Sequence, residues 1–386
     1  MKIAIDARWI FPQISGIGNY TRQLIGQLAM LDRKNRYVLL FKDAEVCDRT
    51  IRETALESAP NFETCLLHYG VFSPVNQILL PFLLREQGCE VYHSTNYMIP
   101  LLAFPRWRKG PIRCVVTIHD VIPLLFPRAA PRSRKARVFA LYRFLMRQVA
   151  ARADIIITDS NASKNDILRA LSIPQQHAGK VRAVYCGVSS LFTPGNVPTD
   201  PSAEHPARLL YVGRSDPYKN VTGLIRIVDR VRRLCPFPVQ LTIAGAQDPR
   251  YPEAAALVRE LGLETIVKWT GYLSDGQLAD SYRSSDLLVH PSRYEGFGLQ
   301  VVEAMSSGLP VVCGNVASLP EVTGDAAVLV NPDNENDFAG AIRDILTNRP
   351  KQESMRAKGL VQARRFTWTN TARQTMALYE EATGGA

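Results

Sequence analysis

The sequence has no hydrophobic run long enough to cross a lipid bilayer. A transmembrane helix needs about 20 predominantly apolar residues, and the longer apolar runs of this 386-residue chain are broken by Pro81, Pro100, Pro105 and the pair His119-Asp120. The first stretch, MKIAIDARWIF, carries an aspartate inside its apolar run, which predicts a first strand rather than a signal peptide. We therefore expect a cytoplasmic protein without a membrane span.

Patterns typical of metal sites and disulfides are also missing. The seven cysteines are odd in number and scattered, and no two have the C-x-x-C spacing of a zinc or redox site. The sequence has no D-x-D motif, and no second histidine has the spacing to share a metal ion with His119. We expect reduced thiols, no cofactor and no metal requirement.

The chain length and the order of apolar segments predict two α/β domains. The chain is about twice the size of a usual domain, and its 46% hydrophobic residues can form sizeable cores. Strand patterns alternate with amphipathic helical patterns in both halves, which is typical of parallel sheets covered by helices on both faces. A segment with four prolines separates the halves. The predicted parts are a first domain at 1–192, a linker at 193–206, a second domain at 207–362 and a final helical segment at 363–386.

The positive charge of the chain is concentrated in one segment. The whole chain has a formal net charge of +10, whereas residues 91–153 contain twelve basic residues and a single acid, Asp120. The rest of the sequence is therefore close to neutral. A local excess of this kind predicts an anionic partner for the first half of the chain.

Part of the basic segment has the pattern of an amphipathic helix. The apolar positions of its stripe are Val138, Tyr142, Leu145 and Val149. The cations on the opposite side of the helical wheel are Arg132, Lys135, Arg143 and Arg147. An ordinary solvated helix face would also explain these cations, but no acid in the segment balances them. Because the sequence has no recognised nucleic-acid-binding motif, we expect an anionic membrane surface or a lipid-linked acceptor as the partner.

Residues 290–313, HPSRYEGFGLQVVEAMSSGLPVVC, predict a strand, a glycine loop, a helix and a second strand. Glu295 falls in the loop and Glu303 in the helix, while Gly296 and Gly298 would let an anion approach the backbone at the helix start. Ligands of parallel sheets bind at the carboxyl ends of strands, so we expect Glu295 at the mouth of a site and Glu303 deeper. Two glutamates at this spacing also occur as ordinary loop and helix residues, and the spacing alone does not decide.

A close resemblance to a known family adds to this interpretation. The pattern PS-x-YEGFGL-x-x-x-EAM-x-x-G-x-PVV resembles the E-x7-E signature of the retaining family-4 glycosyltransferases, and GIGNY, VVTIHDVIPLLFP and YVGRSDPYKN resemble further segments of that family. The resemblance spans nearly the whole chain. It implies the GT-B fold, in which two Rossmann-like domains face across a cleft and the last helix returns to the first domain. The chain departs from the family pattern at Tyr218 and Gln300, where arginine and proline are common.

The resemblance implies roles for residues of the second domain. Arg214 and Lys219 would neutralise the diphosphate of a nucleotide sugar as it departs. Glu303 would bind ribose hydroxyls, and Glu295 would orient the donor hexose without acting as a covalent nucleophile. The backbone N–H groups that would assist at the diphosphate belong to Phe297, Gly298 and Leu299.

Residues of the first domain receive roles in the same way. Gly16 and Gly18 would lie beside the donor phosphates, and His119 would lie near the reacting sugar and position hydroxyl groups or backbone. A G-x-G pair after a first strand also occurs in dinucleotide-binding proteins, but the third glycine of that fingerprint is missing, which disfavours an NAD enzyme.

The implied activity is transfer of a hexose from a nucleotide sugar to a hydroxyl group of a glycan or lipid-linked acceptor, with retention at the anomeric carbon. Mannose from GDP-mannose is slightly favoured, and UDP-sugars stay open. Such a reaction would serve bacterial envelope polysaccharide or lipopolysaccharide synthesis, with the protein peripheral on the inner face of the plasma membrane. The alternatives are a nucleotide-sugar epimerase, a phosphorylase-like enzyme on the same scaffold, or a non-catalytic nucleotide-sugar-binding protein.

Overall fold

The computed structural model describes residues 1–13, 15–106, 110–127, 139–195 and 201–384. The chain divides into two units, each built on its own parallel sheet. The first unit consists of Met1–Leu124, Val138–Gly187 and Trp368–Ala386, and the second consists of Leu125–Arg137 and Val188–Thr367.

The first unit contains a seven-stranded sheet in the order β3-β2-β1-β4-β5-β6-β7, in which every strand pair is parallel. Its central strands are buried along their whole length, as strands covered on both faces must be. The strands are β1 Lys2–Asp6, β2 Arg36–Phe41, β3 Phe62–Leu66, β4 Val91–Ser94, β5 Arg113–Thr117, β6 Ile155–Thr158 and β7 Val181–Ala183.

The helices of the first unit begin where short polar residues can cap them. The side chain of Ser15 accepts a hydrogen bond from the N–H of Gly18, and that of Ser160 accepts one from the N–H of Ser163. The α-helices are α1 Gly16–Leu31, α2 Ala44–Glu53, α3 Pro74–Glu86, α4 Ile122–Leu125, α5 Phe139–Arg152, α6 Asn161–Ala170 and the last helix of the chain, Trp368–Thr383. The helix α4 ends one residue beyond the unit boundary.

The second unit contains a six-stranded sheet in the order β10-β9-β8-β11-β12-β13, again with parallel pairs throughout. The strands β8 and β11, which carry the two loops of interest, are neighbours at the point where the strand order reverses. The strands are β8 Ala207–Val212, β9 Val239–Ala244, β10 Val267–Trp269, β11 Leu287–His290, β12 Val311–Gly314 and β13 Val328–Val330.

The helices of this unit pack on an apolar core that includes Leu209, Leu224 and Phe338, all fully buried. The helix predicted within residues 290–313 is confirmed and spans Leu299–Ser306. The helices are α7 Val221–Leu234, α8 Glu253–Glu260, α9 Asp275–Ser284, α10 Leu299–Ser306, α11 Leu319–Thr323, α12 Glu335–Leu346 and α13 Arg349–Ala363, so the last helix of the chain, Trp368–Thr383, is α14.

The predicted pair of doubly wound parallel-sheet domains is confirmed. Within the described ranges, no helix is long and apolar enough to cross a membrane. Part of the predicted linker, residues 196–200, lies outside the described residues, as do Arg132, Lys135 and Val138 of the predicted amphipathic helix.

Candidate functional site

The loop after β8 places Lys219 against the loop between β11 and α10. It folds into a 3-10 turn, Pro217–Lys219, and then reverses at Asn220, which has a left-handed backbone with φ of 57°. The Asn220 amide donates to the carbonyl oxygens of Pro291 (3.2 Å) and Pro332 (2.9 Å). The turn around Lys219 is thereby tied to two other loops at the carboxyl edge of the sheet.

The loop between β11 and α10 is held by its neighbours on both sides. The N–H of Arg293 donates to the carbonyl oxygen of Tyr218 (2.7 Å), and the hydroxyl of Ser318 donates to the carbonyl oxygens of Glu295 (3.0 Å) and Phe297 (2.8 Å). Gly298 has φ of 94°, and a Cβ there would lie 2.6 Å from a methyl carbon of Leu319. Only glycine therefore suits this position, and the loop presents Glu295 in a fixed place.

Glu295 is the centre of a buried charged network. Its side chain receives two hydrogen bonds from the ammonium of Lys219, at 2.7 Å to Oε1 and 2.8 Å to Oε2. Nε2 of His290 lies 2.7 Å from the same Oε1. Burial alone would raise the pKa of Glu295, but Lys219 and His290 outweigh it and hold that pKa far below its usual range. The group is an ionised acceptor in the free protein.

His290 joins this network as a hydrogen-bond donor. Its ring is fully buried and stacks on Tyr211, with centroids 5.9 Å apart. Because the Glu295 carboxylate can only accept, Nε2 of His290 carries the proton. Nδ1 has no hydrogen-bond partner among the described residues, and a proton there would be buried without an acceptor. His290 therefore donates to Glu295 through Nε2.

Glu303 is equally buried but has no cation beside it. The residue is 6% exposed, against 5% for Glu295, and its Oε2 lies 2.8 Å from the hydroxyl of Tyr282. Burial raises the pKa of Glu303 to about 8, with a small further rise from Asp275, and the Tyr282 hydrogen bond offsets only part of this. At neutral pH Glu303 is predominantly a neutral carboxylic acid.

The two carboxylates thus depart from the expected arrangement. We expected Glu295 at the mouth of the site and only Glu303 in a buried position, and the structure buries both. The reason is Lys219, which lies beneath the loop and compensates the charge of Glu295 in the interior. Among the described residues Glu303 has no such cation, and its buried side chain is hydrogen-bonded to Tyr282 instead.

The two cations predicted to act together differ in their surroundings. The side chain of Lys219 is 11% exposed and engaged with Glu295. The side chain of Arg214 is 72% exposed and pairs with Asp216 at 2.8 Å. The structure brings Lys219 to Glu295, whereas Arg214 lies on the open side of the same loop.

The start of α10 provides backbone donors beside this network. The helix begins at Leu299, after the left-handed Gly298, and the first N–H groups of a helix have no intrahelical acceptor. The ring of Phe297 is buried and packs edge-on against Phe366, with centroids 5.5 Å apart. The helix start thus has the backbone donors that anions bind in other proteins, and the residue before Gly298 is fixed by packing.

The first unit has its own polar cluster at the carboxyl edge of its sheet. Nδ1 of His119 lies 2.8 Å from the carboxylate of Asp159, and Nε2 lies 3.1 Å from the carbonyl oxygen of Thr95. A carbonyl oxygen only accepts, so both ring nitrogens act as donors and the ring is an imidazolium. Burial would lower the pKa of His119, but Asp159 outweighs it and raises that pKa. Tyr20 packs edge-on against the ring at 4.9 Å.

Gly16 and Gly18 lie in the first turn of α1, directly after the capping residue Ser15. A Cβ on Gly16 would meet no atom within 4 Å, so the space beside this turn is open. The described residues contain no cluster of three or more His, Cys, Asp or Glu that could hold a metal ion.

Three site residues escaped the sequence analysis: His290, Tyr282 and Asp159. His290 ends a buried strand immediately before the glycine loop, and this position was a usable signal. Tyr282 lies 21 residues before Glu303 on another helix, and Asp159 lies 40 residues after His119. Nothing in the local sequence connects either of these residues to its partner.

The described part of the basic helix has the predicted orientation. On α5, Tyr142 and Val149 are buried, while Arg143 and Arg147 are exposed. Arg147 donates to the hydroxyl of Ser172 at 3.2 Å. Arg132 and Lys135, the other members of the predicted patch, lie outside the described residues.

Two family models match the chain, one for each half. The model described as Glycosyltransferase Family 4 matches residues 14–190. The model described as Glycosyl transferases group 1 matches residues 198–361. Together they account for both units of the fold and for nearly every predicted site residue.

Individual proteins are similar over most of the chain. The O-antigen chain mannosyltransferase B of Escherichia coli is 29% identical, over 98% of this chain and 100% of its own length. A D-inositol 3-phosphate glycosyltransferase of Kribbella flavida is 30% identical, over 78% of this chain and 73% of its own. Among solved structures, the sucrose-phosphate synthase of Thermosynechococcus elongatus superimposes with a TM-score of 0.77 at 23% identity, over the full length of both chains.

Proposed function

Because the chain belongs to the family 4 glycosyltransferases and is a GT-B hexosyltransferase, we propose that it transfers a hexose from a nucleotide sugar to a hydroxyl group of a glycan or lipid-linked acceptor. The observation that carries the proposal is the buried network of Lys219, Glu295 and His290 beside the start of α10. It combines a cation for phosphate, a fixed acceptor for hydroxyl groups and backbone donors in one place.

In this proposal the departing diphosphate is neutralised by Arg214 and Lys219. An ammonium has three donors, and Glu295 receives two of those of Lys219, so the third can serve a phosphate oxygen. Arg214 is exposed and can form a planar two-point contact with phosphate. Donors around Phe297, Gly298 and Leu299 add to this stabilisation of the leaving group.

Glu295 orients the donor hexose. The ionised carboxylate accepts hydrogen bonds from sugar hydroxyls, and its contacts to Lys219 and His290 fix its position. These same contacts withdraw charge from both carboxylate oxygens, which makes Glu295 a poor nucleophile. We therefore attribute retention of configuration at the anomeric carbon to the leaving diphosphate rather than to attack by Glu295. An oxygen of this diphosphate accepts the proton of the acceptor hydroxyl. No divalent metal is needed for this step.

Glu303 binds the ribose of the nucleotide. As a neutral carboxylic acid it can both donate to and accept from a pair of vicinal hydroxyls. Tyr282 holds one of its oxygens and sets the direction of the other. Gly16 and Gly18 lie in the first turn of α1, and the open space beside Gly16 is suited to donor phosphates. His119 acts as a positioning residue that holds the backbone at Thr95.

Mannose from GDP-mannose is the favoured donor, and envelope polysaccharide or lipopolysaccharide synthesis is the favoured setting. The support for both is the similarity to the O-antigen mannosyltransferase along its whole length. The exposed cations of α5 support the proposal of a peripheral position on the cytoplasmic side of an anionic membrane. The epimerase, the phosphorylase-like enzyme and the non-catalytic binder have no observation in their favour.

The test is a thermal-shift screen of the purified protein with GDP-, UDP-, ADP- and dTDP-sugars, followed by product analysis with the donor that stabilises it. We expect one nucleotide class to stabilise the protein and the sugar to appear on an added acceptor with its anomeric configuration retained. Sugar phosphate as the product, or an epimerised donor, would replace the proposal with one of the rival enzymes.

A further inference from the structure

Three neighbouring elements of the first unit expose an unusual amount of apolar side chain. The helix α3 exposes Ile78 (56%), Leu79 (49%) and Phe82 (63%), although the same helix buries Leu80 and Leu84 on its other side. A helix that is apolar all round is normally buried in a protein or in lipid. Here one face is left in contact with solvent.

The exposed apolar face continues onto the elements packed beside α3. The 3-10 helix Leu101–Ala103 packs against both α3 and α5, and its Leu102 is 70% exposed. On α5, Leu141 and Phe144 are 54% and 56% exposed and lie one turn apart. We call Ile78, Leu79, Phe82, Leu102, Leu141 and Phe144 the apolar surface.

Cations lie at one border of the apolar surface. Arg143 and Arg147 are exposed on α5, and Phe144 and Arg147 are three residues apart, which places them on the same side of the helix. The helix α5 contains three arginines and no acid. Aromatic and aliphatic side chains beside uncompensated cations form the pattern that lies at a lipid–water interface.

We propose that the apolar surface docks this protein onto an anionic lipid bilayer, with Ile78, Phe82, Leu102 and Phe144 entering the headgroup region and Arg143 and Arg147 contacting lipid phosphates. The proposal rests on the proposed lipid-linked acceptor for its purpose, but the binding itself can be measured without sugar transfer. It differs from the sequence-based prediction, which relied on charge alone and included no residue of α3.

Charge also disfavours a second copy of the chain as the occupant. A two-fold interface brings the same patch of both copies together, so the arginines of α5 would face like charge. Residues 91–153 contribute Leu102, Leu141 and Phe144 to the apolar surface. They contain a single acid, Asp120, that could compensate these arginines. Lipid phosphates provide the missing anions.

The test is cosedimentation of the full-length protein with vesicles of phosphatidylglycerol and phosphatidylcholine, or of phosphatidylcholine alone. We expect binding to the mixed vesicles, weakened but not abolished by high salt because the apolar contacts persist. The double variant Ile78→Ser/Phe82→Ser should reduce the partition coefficient at least roughly tenfold. The matched control is Val361→Ser, an equally exposed apolar residue of the second unit (65%).

The charge contribution is tested separately. Arg143→Gln should weaken binding to anionic vesicles roughly fivefold, whereas Arg373→Gln, which removes an equal charge from an exposed position on α14, should change it little. Circular dichroism and thermal unfolding verify that each variant is folded. If the double variant does not fold, Phe144→Ser on α5 gives the same test.

Two results would overturn the docking proposal. The first is unchanged vesicle binding by folded variants of the apolar surface. The second is a wild-type dimer that these variants convert to monomer, since the surface would then join two copies. Transfer to a water-soluble acceptor, measured in parallel, should persist in the variants. Absence of transfer by the wild-type protein would count against the proposed function and leave the vesicle result valid.

Discussion

Glu295 and Glu303 lie eight residues apart, the first in a loop and the second in the helix that follows. Their neighbours nevertheless favour opposite charge states. Both are almost completely buried. Lys219 and His290 keep Glu295 ionised. Glu303, which is hydrogen-bonded to Tyr282, is a neutral acid. The comparison teaches that burial alone does not set the charge of a carboxyl group. The neighbours that the fold brings to it decide whether it serves as an anion or as a two-way hydrogen-bonding group.

The largest effect is expected when the cation is removed from the paired carboxylate. Lys219→Met would leave the Glu295 carboxylate buried beside an apolar side chain, which costs about 3 kcal/mol of the free energy of unfolding. Transfer should fall roughly a thousandfold, since the diphosphate also loses a partner. Thermal unfolding and steady-state kinetics measure the two effects. The double variant Lys219→Met/Glu295→Gln should recover part of the stability and none of the activity.

Removing the charge of Glu295 itself should affect rate more than binding. Glu295→Gln keeps the size of the side chain, so we expect a folded protein whose kcat is reduced roughly a hundredfold. Its affinity for the nucleoside diphosphate should change little, because that contact belongs to Arg214 and Lys219. Isothermal titration calorimetry with the nucleotide checks this separation. Equal activity of the variant and the wild-type protein would contradict the orienting role of Glu295.

Glu303, which has no cation beside it among the described residues, should make the stability of the protein depend on pH. The pKa of Glu303 is raised to about 8 in the folded protein, so the folded state binds a proton that the unfolded state releases above pH 4.5. The stability contributed by this group is therefore full below about pH 4.5 and declines up to about pH 8, by at most about 1.4 kcal/mol per pH unit. Glu303→Gln should remove this decline, measured as denaturant midpoints between pH 5 and 9.

The same variant separates structure from function. Glu303→Gln should weaken nucleotide binding roughly tenfold, because an amide cannot reproduce both hydrogen bonds of a carboxylic acid to ribose. It should nevertheless raise stability relative to the wild-type protein at pH 8. A variant that loses stability at pH 8 would show that Glu303 is ionised in the folded protein.

A smaller effect is expected at the carboxylate of the first unit. The pKa of His119 is raised by Asp159, so the stability that the pair contributes is full below pH 6.5 and is lost as pH rises through the raised pKa. Asp159→Asn should abolish this contribution, about 1 kcal/mol at pH 6, and make the pH dependence of stability flatter between pH 6 and 8. Titration of the His119 ring protons by NMR provides a direct readout.

The smallest effect is expected from removal of metal ions. If Lys219 and Arg214 supply the positive charge at the diphosphate, then EDTA should leave the rate of transfer within about twofold of its untreated value. Activity that disappears with EDTA and returns with Mg²⁺ or Mn²⁺ would show that the cations of the protein are insufficient.

Part of this site could be predicted from the sequence because it is local. The limits of α10 follow from a helical apolar pattern after a glycine loop, and the two carboxylates are fixed by their spacing in that segment. The contact between Lys219 and Glu295 is not local. It depends on β8 and β11 being neighbours in the sheet, although 76 residues separate the two side chains.

The apolar surface shows a different limit of sequence reasoning. The α3 segment PVNQILLPFLLRE is apolar without interruption over residues 78–84, and such a run is usually part of a core helix. Which of its faces is covered depends on the elements packed beside it, and no periodicity in the segment distinguishes the covered face from the open one. Exposure became visible only with the fold.

Asn220 connects three loops at the carboxyl edge of the second sheet, namely those that carry Lys219, Pro291 and Pro332. Its single amide group holds the carbonyl oxygens of Pro291 and Pro332 while its own backbone reverses the turn that carries Lys219. The side chain of Arg293 also pairs with Asp333 at 2.7 Å, so opening any one of the three loops breaks a contact with each of the other two. The loops should therefore fluctuate as one cooperative unit, and their amide hydrogens should exchange at similar rates. A nucleotide that orders one of the loops should lower the exchange rates of all three.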